Sequence, residues 1–123
     1  MKKTEWRGQE CPPEYVKYRN AGHSQIIIYT DVRQETGEDG EMSYVATRII
    51  MPIGVLDYGR IVSAIIDAHY SNDQMQAIVN NHLIGKHTEE FEAMQAYRVY
   101  AKDMARRIVN SLNTESEVQN GKE

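Results

Sequence analysis

The spacing of apolar side chains changes once along the chain, from every second residue to every third or fourth residue. The segments 24–33 and 42–51 are rich in β-branched and apolar residues and predict two β-strands. In the segment 42–51 one face collects four side chains, namely Val45, Thr47, Ile49 and Met51. The opposite face of that strand is expected to carry Tyr44, Ala46, Arg48 and Ile50.

A third strand is predicted over residues 14–19, where two side chains alternate with three others: Val16 and Tyr18 with Tyr15, Lys17 and Arg19. This strand would complete an antiparallel meander, because two strands alone are only marginally stable in water. A short helix over residues 13–20 is the alternative, because Pro13 can occupy the first turn of a helix.

From Pro52 onward the apolar side chains recur at helical spacing and predict three helices. The stripe of the first helix consists of Leu56, Tyr58, Ile61, Val62, Ile65, Ile66 and His69. Ser71 and Gln74 have the spacing of a capping box that begins the second helix, and Gly85 is placed to end it in a left-handed conformation. Thr88 is expected to cap the third helix.

The third helix is predicted to be the longest and to have a broad apolar side, made of Phe91, Met94, Tyr97, Ala101, Met104, Ala105, Ile108 and Leu112. Polar composition predicts a flexible lead-in over residues 1–13 and a disordered tail over residues 113–123. Residues 14–112 are predicted to form a single α+β domain. In that domain a small antiparallel sheet of two to three strands is followed by three helices that pack on it.

The bulk composition argues against several classes of protein. The chain has 123 residues and a formal net charge of −4, which does not suit general binding of nucleic acid. Cys11 is the single cysteine, so no intrachain disulfide is expected. No stretch approaches the roughly 18 apolar residues of a membrane span, and no secretory signal is recognisable. We therefore expect a cytoplasmic protein that has no membrane partner.

The sequence contains no recognisable catalytic or metal-binding pattern. The four histidines, His23, His69, His82 and His87, lack the paired spacing of zinc ligands. His69 and His82 are expected to end the first and second helices, where a cation suits the helix dipole. The acidic segment 31–41 does not match a calcium loop, and no nucleophile elbow or phosphate loop occurs. The sequence therefore predicts a non-enzymatic protein that has no cofactor and no metal.

Candidate binding residues lie on the third helix. Tyrosine and methionine are frequent in protein interfaces, and the chain has eight tyrosines against one Phe and one Trp. We expect a protein partner, or a second copy of the chain, to bind at Tyr97, Arg98, Tyr100 and Met104. The alternative is a small nucleic-acid-binding regulator that uses the basic edge of this helix, formed by Arg98, Lys102 and Arg106.

The segment "FEAMQAYRVYAKDMARRI" resembles the C-terminal helix of small phage-tail-associated proteins such as tail fibre assembly chaperones. In that family an aromatic residue followed by Arg precedes a further apolar stripe. Tyr97 and Arg98 occupy this place, with Tyr where Trp is usual. The segment "LDYGRIVSAIIDAHYSNDQMQAIVNNHL" is similar to small uncharacterised proteins encoded in phage-derived regions of bacterial genomes. These resemblances imply a binding or assembly role in a phage or prophage and no catalytic residues.

Overall fold

The structure is a computed structural model that describes residues 2–20, 23–52 and 57–121. Four β-strands are followed by three α-helices, which confirms the predicted α+β class with one strand more than expected. The chain divides into two compact units, Met1–Leu56 and Asp57–Glu123. The first unit contains the strands and the second contains the helices. The packing of the helices on the sheet as one domain over residues 14–112 stays a prediction.

The first unit is a four-stranded antiparallel sheet. Its strands are β1 (Lys2–Gly8), β2 (Tyr15–Asn20), β3 (His23–Thr36) and β4 (Met42–Pro52), and they lie in the order β1-β4-β3-β2. Strands β2, β3 and β4 form the predicted antiparallel meander. Because residues 15–20 are a strand, the alternative of a short helix over residues 13–20 is wrong.

Strand β1 corrects the prediction of a flexible lead-in over residues 1–13. It pairs with β4 along its whole length, from Lys2 opposite Ile50 to Gly8 opposite Tyr44. Trp6 is its only large apolar side chain, so the hydrophobic pattern contains no clear strand signal. The strand is held by its backbone ladder to β4, which lies more than 30 residues further along the chain.

One face of the sheet is buried. Residues directly opposite each other share a face, so Ile26 lies beside Met51 and Ile28 beside Ile49. These four side chains are buried, and so is Val45 further along β4. We call this side of the sheet, defined by Ile26, Ile28, Val45, Ile49 and Met51, the apolar face. The alternation predicted for β4 is therefore confirmed.

The opposite side of the sheet carries large side chains that are only partly buried. It is defined by Thr4, Trp6, Tyr29, Ala46 and Arg48, and we call it the tryptophan face. Ala46 is buried, whereas the other four side chains keep part of their surface accessible to solvent. The two faces of the sheet thus differ both in burial and in chemistry.

A β-bulge interrupts the pairing of β3 with β4. Thr30 opposes Thr47 and Arg33 opposes Val45, so Asp31 and Val32 together face a single residue of β4. Asp31 has a φ of 55°, a left-handed conformation that Asp tolerates better than most residues. The extra residue changes the phase of β3, so Arg33 falls on the same side of the sheet as the apolar face.

Ion pairs continue the apolar face beyond the bulge. Arg33 pairs with Glu35 at 3.1 Å and with Glu5 at 3.6 Å. Arg7 pairs with Glu35 at 3.4 Å and donates a hydrogen bond to Ser43 Oγ at 2.8 Å. Because these side chains are largely exposed, each pair contributes at most about 1 kcal/mol. The pairs connect β1, β3 and β4 and favour their observed register.

The second unit consists of α1 (Tyr58–His69), α2 (Asn72–Leu83) and α3 (Thr88–Gly121). The Ser71 side chain accepts a hydrogen bond from the backbone N–H of Gln74, and the Gln74 side chain accepts one from the backbone N–H of Ser71, which confirms the capping box. Gly85 follows α2 with a φ of 77°, as expected for a left-handed helix end. Over the described residues, none of the helices combines the length and the apolarity that crossing a membrane requires.

Helix α3 differs from its prediction at both ends. It begins at Thr88, so the cap position falls on His87 rather than on Thr88. The backbone oxygen of His87 accepts a hydrogen bond from the N–H of Glu90 at 3.1 Å. At the other end the helix extends to Gly121, whereas the polar composition predicts a disordered tail over residues 113–123.

The bulge predicts a difference between two substitutions of Asp31. Asp31→Ala is expected to have a free energy of unfolding about 1 kcal/mol lower than Asp31→Gly, because only Gly adopts a left-handed φ without a penalty. Both substitutions remove the carboxylate, so their difference isolates the backbone conformation. Urea unfolding measures it, and equal stability of the two variants would contradict the left-handed conformation.

Thr30 offers a substitution that should increase stability. Its side chain is fully buried, and its Oγ1 has no hydrogen-bond partner among the described residues. Thr30→Val keeps the shape without the hydroxyl and should raise the free energy of unfolding by about 1 kcal/mol. Thr30→Ser keeps the hydroxyl, loses a methyl group and should be less stable than the wild type. Thermal unfolding tests both, and a less stable Thr30→Val would show that the hydroxyl is satisfied.

Candidate functional site

The four residues predicted to bind a partner do not form one continuous surface. Tyr97 stacks on a residue of α1, whereas Arg98 lines a groove next to α2. Two residues along an α-helix correspond to a rotation of about 200°, so Arg98 and Tyr100 point in nearly opposite directions. Met104 is only 2% exposed and is part of the buried core. A partner that binds Arg98 therefore does not reach Tyr100 and Met104 on the same surface.

Four aromatic side chains cluster where α1 ends, namely His69, Tyr70, Tyr97 and Tyr100. The rings of His69 and Tyr97 stack with their centroids 3.9 Å apart and an interplanar angle of 22°. Tyr70 meets Tyr97 edge-on at 5.7 Å, and Tyr100 lies 5.2 Å from Tyr97. Such aromatic pairs contribute about 0.5–1.5 kcal/mol each beyond their buried area. This histidine–tyrosine cluster connects the end of α1 to the N-terminal half of α3, so Tyr97 has a structural role within the helical unit.

A second stacked pair joins α2 to α3. The rings of His82 and Phe91 are almost parallel, with centroids 3.8 Å apart and an interplanar angle of 6°. His82 lies in the last turn of α2, as predicted. Its Nδ1 is buried and has no hydrogen-bond partner among the described residues. The sequence does not predict this stacking. His82 and Phe91 lie on either side of a turn, and the apolar spacing within each helix does not show how the two helices are placed relative to each other.

A groove lies between α2 and α3 and has a volume of about 410 Å³. It is lined by six residues, namely Asn72, Met75, Gln76, Val79 and Asn80 of α2 and Arg98 of α3. The residues of α2 recur at helical spacing and form one side of that helix. Arg98 supplies the only charged group among the six. This α2–α3 groove therefore combines apolar and amide groups with one cation and suits a ligand that is partly apolar and anionic.

The apolar side of α2 continues beyond the groove and is exposed. Val79 and Leu83 follow Met75 at intervals of four residues, and Ile84 comes next in the chain. The exposed fractions are 36% for Val79, 75% for Leu83 and 67% for Ile84. The other side of α2 contains Ile78, the buried residue of this helix. Contiguous exposed apolar surface of this kind is typical of interaction sites.

The cations of the alternative nucleic-acid prediction lie along α3. Arg98, Lys102 and Arg106 are all exposed, and each is about 40° further round the helix than the one before. Arg106 pairs with Asp103 at 3.6 Å, and two glutamates occupy the first turn of α3. A carboxylate of the same helix therefore borders this row of cations at Arg106. Binding of nucleic acid by this row stays a prediction.

The histidines are not arranged as metal ligands in the described part of the chain. His69 and His82 each stack on an aromatic ring, and His87 precedes α3 with a φ of 52°. The side chain of His23 lies outside the described part. Among the described residues, no group of three or more His, Cys, Asp or Glu side chains could hold a metal ion. The absence of metal, cofactor and catalytic activity stays a prediction.

Comparisons with known proteins do not assign the chain to a family. No family model matches it, and no curated protein or solved structure matches it. The similarity of α3 to tail fibre assembly chaperones therefore stays a prediction that depends on Tyr97, Arg98 and the apolar stripe that follows them.

The burial of Met104 predicts a large effect of its truncation. Met104→Ala should lower the free energy of unfolding by about 2–4 kcal/mol, because it leaves a cavity in the core. Val99→Ala is the matched control on the same helix, and it should change stability by at most about 0.5 kcal/mol because Val99 is exposed. Urea unfolding measures both variants, and equal effects would contradict the placement of Met104 in the core.

Proposed function

We propose that this chain is a non-enzymatic protein-binding module whose α2–α3 groove holds an amphipathic segment of a protein partner. The observation that carries the proposal is the exposure of Val79, Leu83 and Ile84 beside the groove. Removing a Leu or Ile side chain from water contributes about 1.5–3 kcal/mol, so a partner that covers this stripe gains affinity. An amphipathic helix laid in an apolar groove is a common mode of peptide recognition.

The charge of the groove indicates the charge of the partner. Arg98 lines the groove, and Lys102 extends the positive charge by one turn of α3. No carboxylate occurs among the six lining residues. We therefore infer a partner segment that carries Asp or Glu beside its apolar residues. Such complementarity acts more on the association rate and the specificity than on the affinity.

The proposal extends to an assembly or chaperone-like role in a phage or prophage. Its support is the resemblance of the segment "FEAMQAYRVYAKDMARRI", which includes Arg98 of the groove. A chaperone-like factor holds an apolar segment of its client reversibly until assembly. A shallow groove beside exposed apolar side chains is suited to such reversible binding, because the segment is covered on one side only.

A nucleic-acid-binding regulator is the second candidate. The exposure of Arg98, Lys102 and Arg106 on one edge of α3 favours it. This function predicts binding to duplex DNA whose affinity falls steeply with salt and depends on all three cations. If the chain is a protein-binding module instead, no affinity for duplex DNA that depends on both Lys102 and Arg106 is expected. A salt titration with duplex DNA therefore distinguishes the two functions.

Two probe peptides test the proposed groove. Both are amphipathic helices with leucines at positions i, i+4 and i+7, and the leucines are flanked by Glu in one peptide and by Lys in the other. With ¹⁵N-labelled protein, the Glu-flanked peptide should shift the amide signals of α2 and Arg98 at lower concentration than the Lys-flanked peptide. Arg98→Glu should lower the affinity for the Glu-flanked peptide by about three- to tenfold.

Lys3→Glu is the matched control for the change in net charge. Lys3 is exposed on β1 and does not line the groove, so this variant should keep the preference of the wild type. Equal affinity of the wild type for both peptides, or no shift with either, would refute the proposed groove. Broadening of the same signals with rising protein concentration, in the absence of peptide, would identify a second copy of the chain as the partner.

A further inference from the structure

Trp6 is held flat on the sheet at the tryptophan face. A Cβ atom added at Gly8 would lie 2.5 Å from Cζ2 and 2.7 Å from Cη2 of the indole, so the ring occupies the space above this glycine. Tyr29 supports the ring from another side in an edge-to-face contact, with centroids 5.4 Å apart and an interplanar angle of 72°. One side of the indole therefore rests on backbone, and Trp6 as a whole is only partly buried. A fixed, partly exposed indole is a platform on which a flat ring can stack.

A guanidinium group lies beside this platform. Arg48 is directly opposite Tyr29 on one side and Thr4 on the other. Its Nε donates a hydrogen bond to Thr4 Oγ1 at 3.0 Å, which fixes the direction of the side chain across the sheet. Within the described residues no carboxylate forms an ion pair with Arg48. Its two Nη groups have no hydrogen-bond partner within the described residues, so they can donate hydrogen bonds to an anion.

The tryptophan face has few acidic groups although the whole chain is acidic. Outside the bulge residues Asp31 and Val32, none of its described strand positions is Asp or Glu. The carboxylates Glu5 and Glu35 lie on the other side of the sheet, in the ion pairs with Arg7 and Arg33. Asp31 of the bulge lies opposite Ala46 and is the acidic strand residue nearest to this face. Away from the bulge, Arg48 has no acidic strand neighbour on this face, which favours an anion beside it.

We infer that the tryptophan face binds single-stranded nucleic acid. One base stacks on Trp6, and an adjacent phosphate accepts hydrogen bonds from Arg48. Stacking of unpaired bases on aromatic residues of a sheet, with Arg or Lys on the backbone, is an established mode of recognition. The proposed contact needs an unstacked base next to a phosphate, which single strands provide, whereas the base faces of duplex DNA are covered by stacking. This inference uses another surface than the α2–α3 groove and is independent of the proposed function.

Trp6 is the only tryptophan, so its fluorescence reports directly on the proposed contact. An oligothymidylate of about ten nucleotides should quench this fluorescence in a saturable, salt-dependent titration. Dextran sulfate supplies the negative charge without bases, and the Glu-flanked peptide supplies carboxylates without bases, so neither should quench it to the same extent. The inference is overturned if the oligonucleotide does not quench or if either comparison ligand quenches equally.

Fluorescence anisotropy of a fluorescein-labelled oligothymidylate measures the affinity of protein variants. Comparing these variants distinguishes the contribution of base stacking from that of charge. Trp6→Leu should lower the affinity by about 5- to 100-fold, the effect of one lost base–aromatic stack. Arg48→Gln should reduce the slope of log affinity against log salt by about 0.7, the loss of one phosphate contact. Lys3→Gln removes the same charge from the other side of the sheet and should leave the slope unchanged.

Circular dichroism establishes that each variant is folded. If Trp6→Leu does not fold, the comparison of Arg48→Gln with Lys3→Gln still decides the outcome. Equal losses of affinity in these two variants would show binding by general charge and overturn the assignment to the tryptophan face.

Discussion

Helix α2 packs mainly against α3, and this packing decides which side of α2 stays exposed. Ile78 is the buried residue of α2, and the stacking of His82 on Phe91 fixes the end of the helix against α3. The turn at Gly85, where φ is positive, reverses the chain so that α3 can return along α2. The apolar stripe that includes Val79 and Leu83 is then left exposed, and Val79 lines the groove together with Arg98. Contiguous exposed apolar surface of this kind is typical of interaction sites, and the proposed function uses this stripe.

The sheet also places chemically different side chains on its two faces. Side chains alternate between the two faces, and the bulge after Thr30 changes that alternation once. As a result Arg33 and Glu35 join the side of the apolar face, where they form ion pairs with β1. Trp6 and Arg48 remain on the other face, away from these carboxylates. The extra residue in β3 thus places Glu35 on the side away from Trp6 and Arg48, while Asp31 of the bulge itself lies opposite Ala46.

Local signals in the sequence predicted local structure well. The capping box of Ser71 and Gln74 depends on four neighbouring residues and is present as expected. The alternation in 42–51 likewise predicted which residues of β4 share a face. Strand β1 was not predicted because its stability comes from backbone pairing with a distant strand, which no pattern within "KKTEWRG" reveals. The continuation of α3 to Gly121 was not predicted either. Polar composition indicates that a segment has few apolar side chains to pack, but it does not determine the conformation of the backbone.

The candidate site was predictable only in part, for a related reason. Helical periodicity places Arg98 and Tyr100 on α3 but does not tell which neighbouring helix lies on which side. The contacts of Tyr97 with His69, and of Arg98 with the groove, depend on the packing of α1 and α2. Met104 was predicted both in the apolar stripe and in the partner surface, and the structure places it in the core.

The proposed groove depends above all on a difference within α2, in which the side with Ile78 is covered and the side with Val79 and Leu83 is open to solvent. Paramagnetic broadening of methyl NMR signals by a soluble gadolinium chelate measures this directly. The methyl signals of Leu83 and Val79 should broaden strongly, and those of Ile78 should broaden weakly. Leu83 methyl signals as protected as those of Ile78 would contradict this difference, because the stripe that is proposed to bind a partner would already be covered.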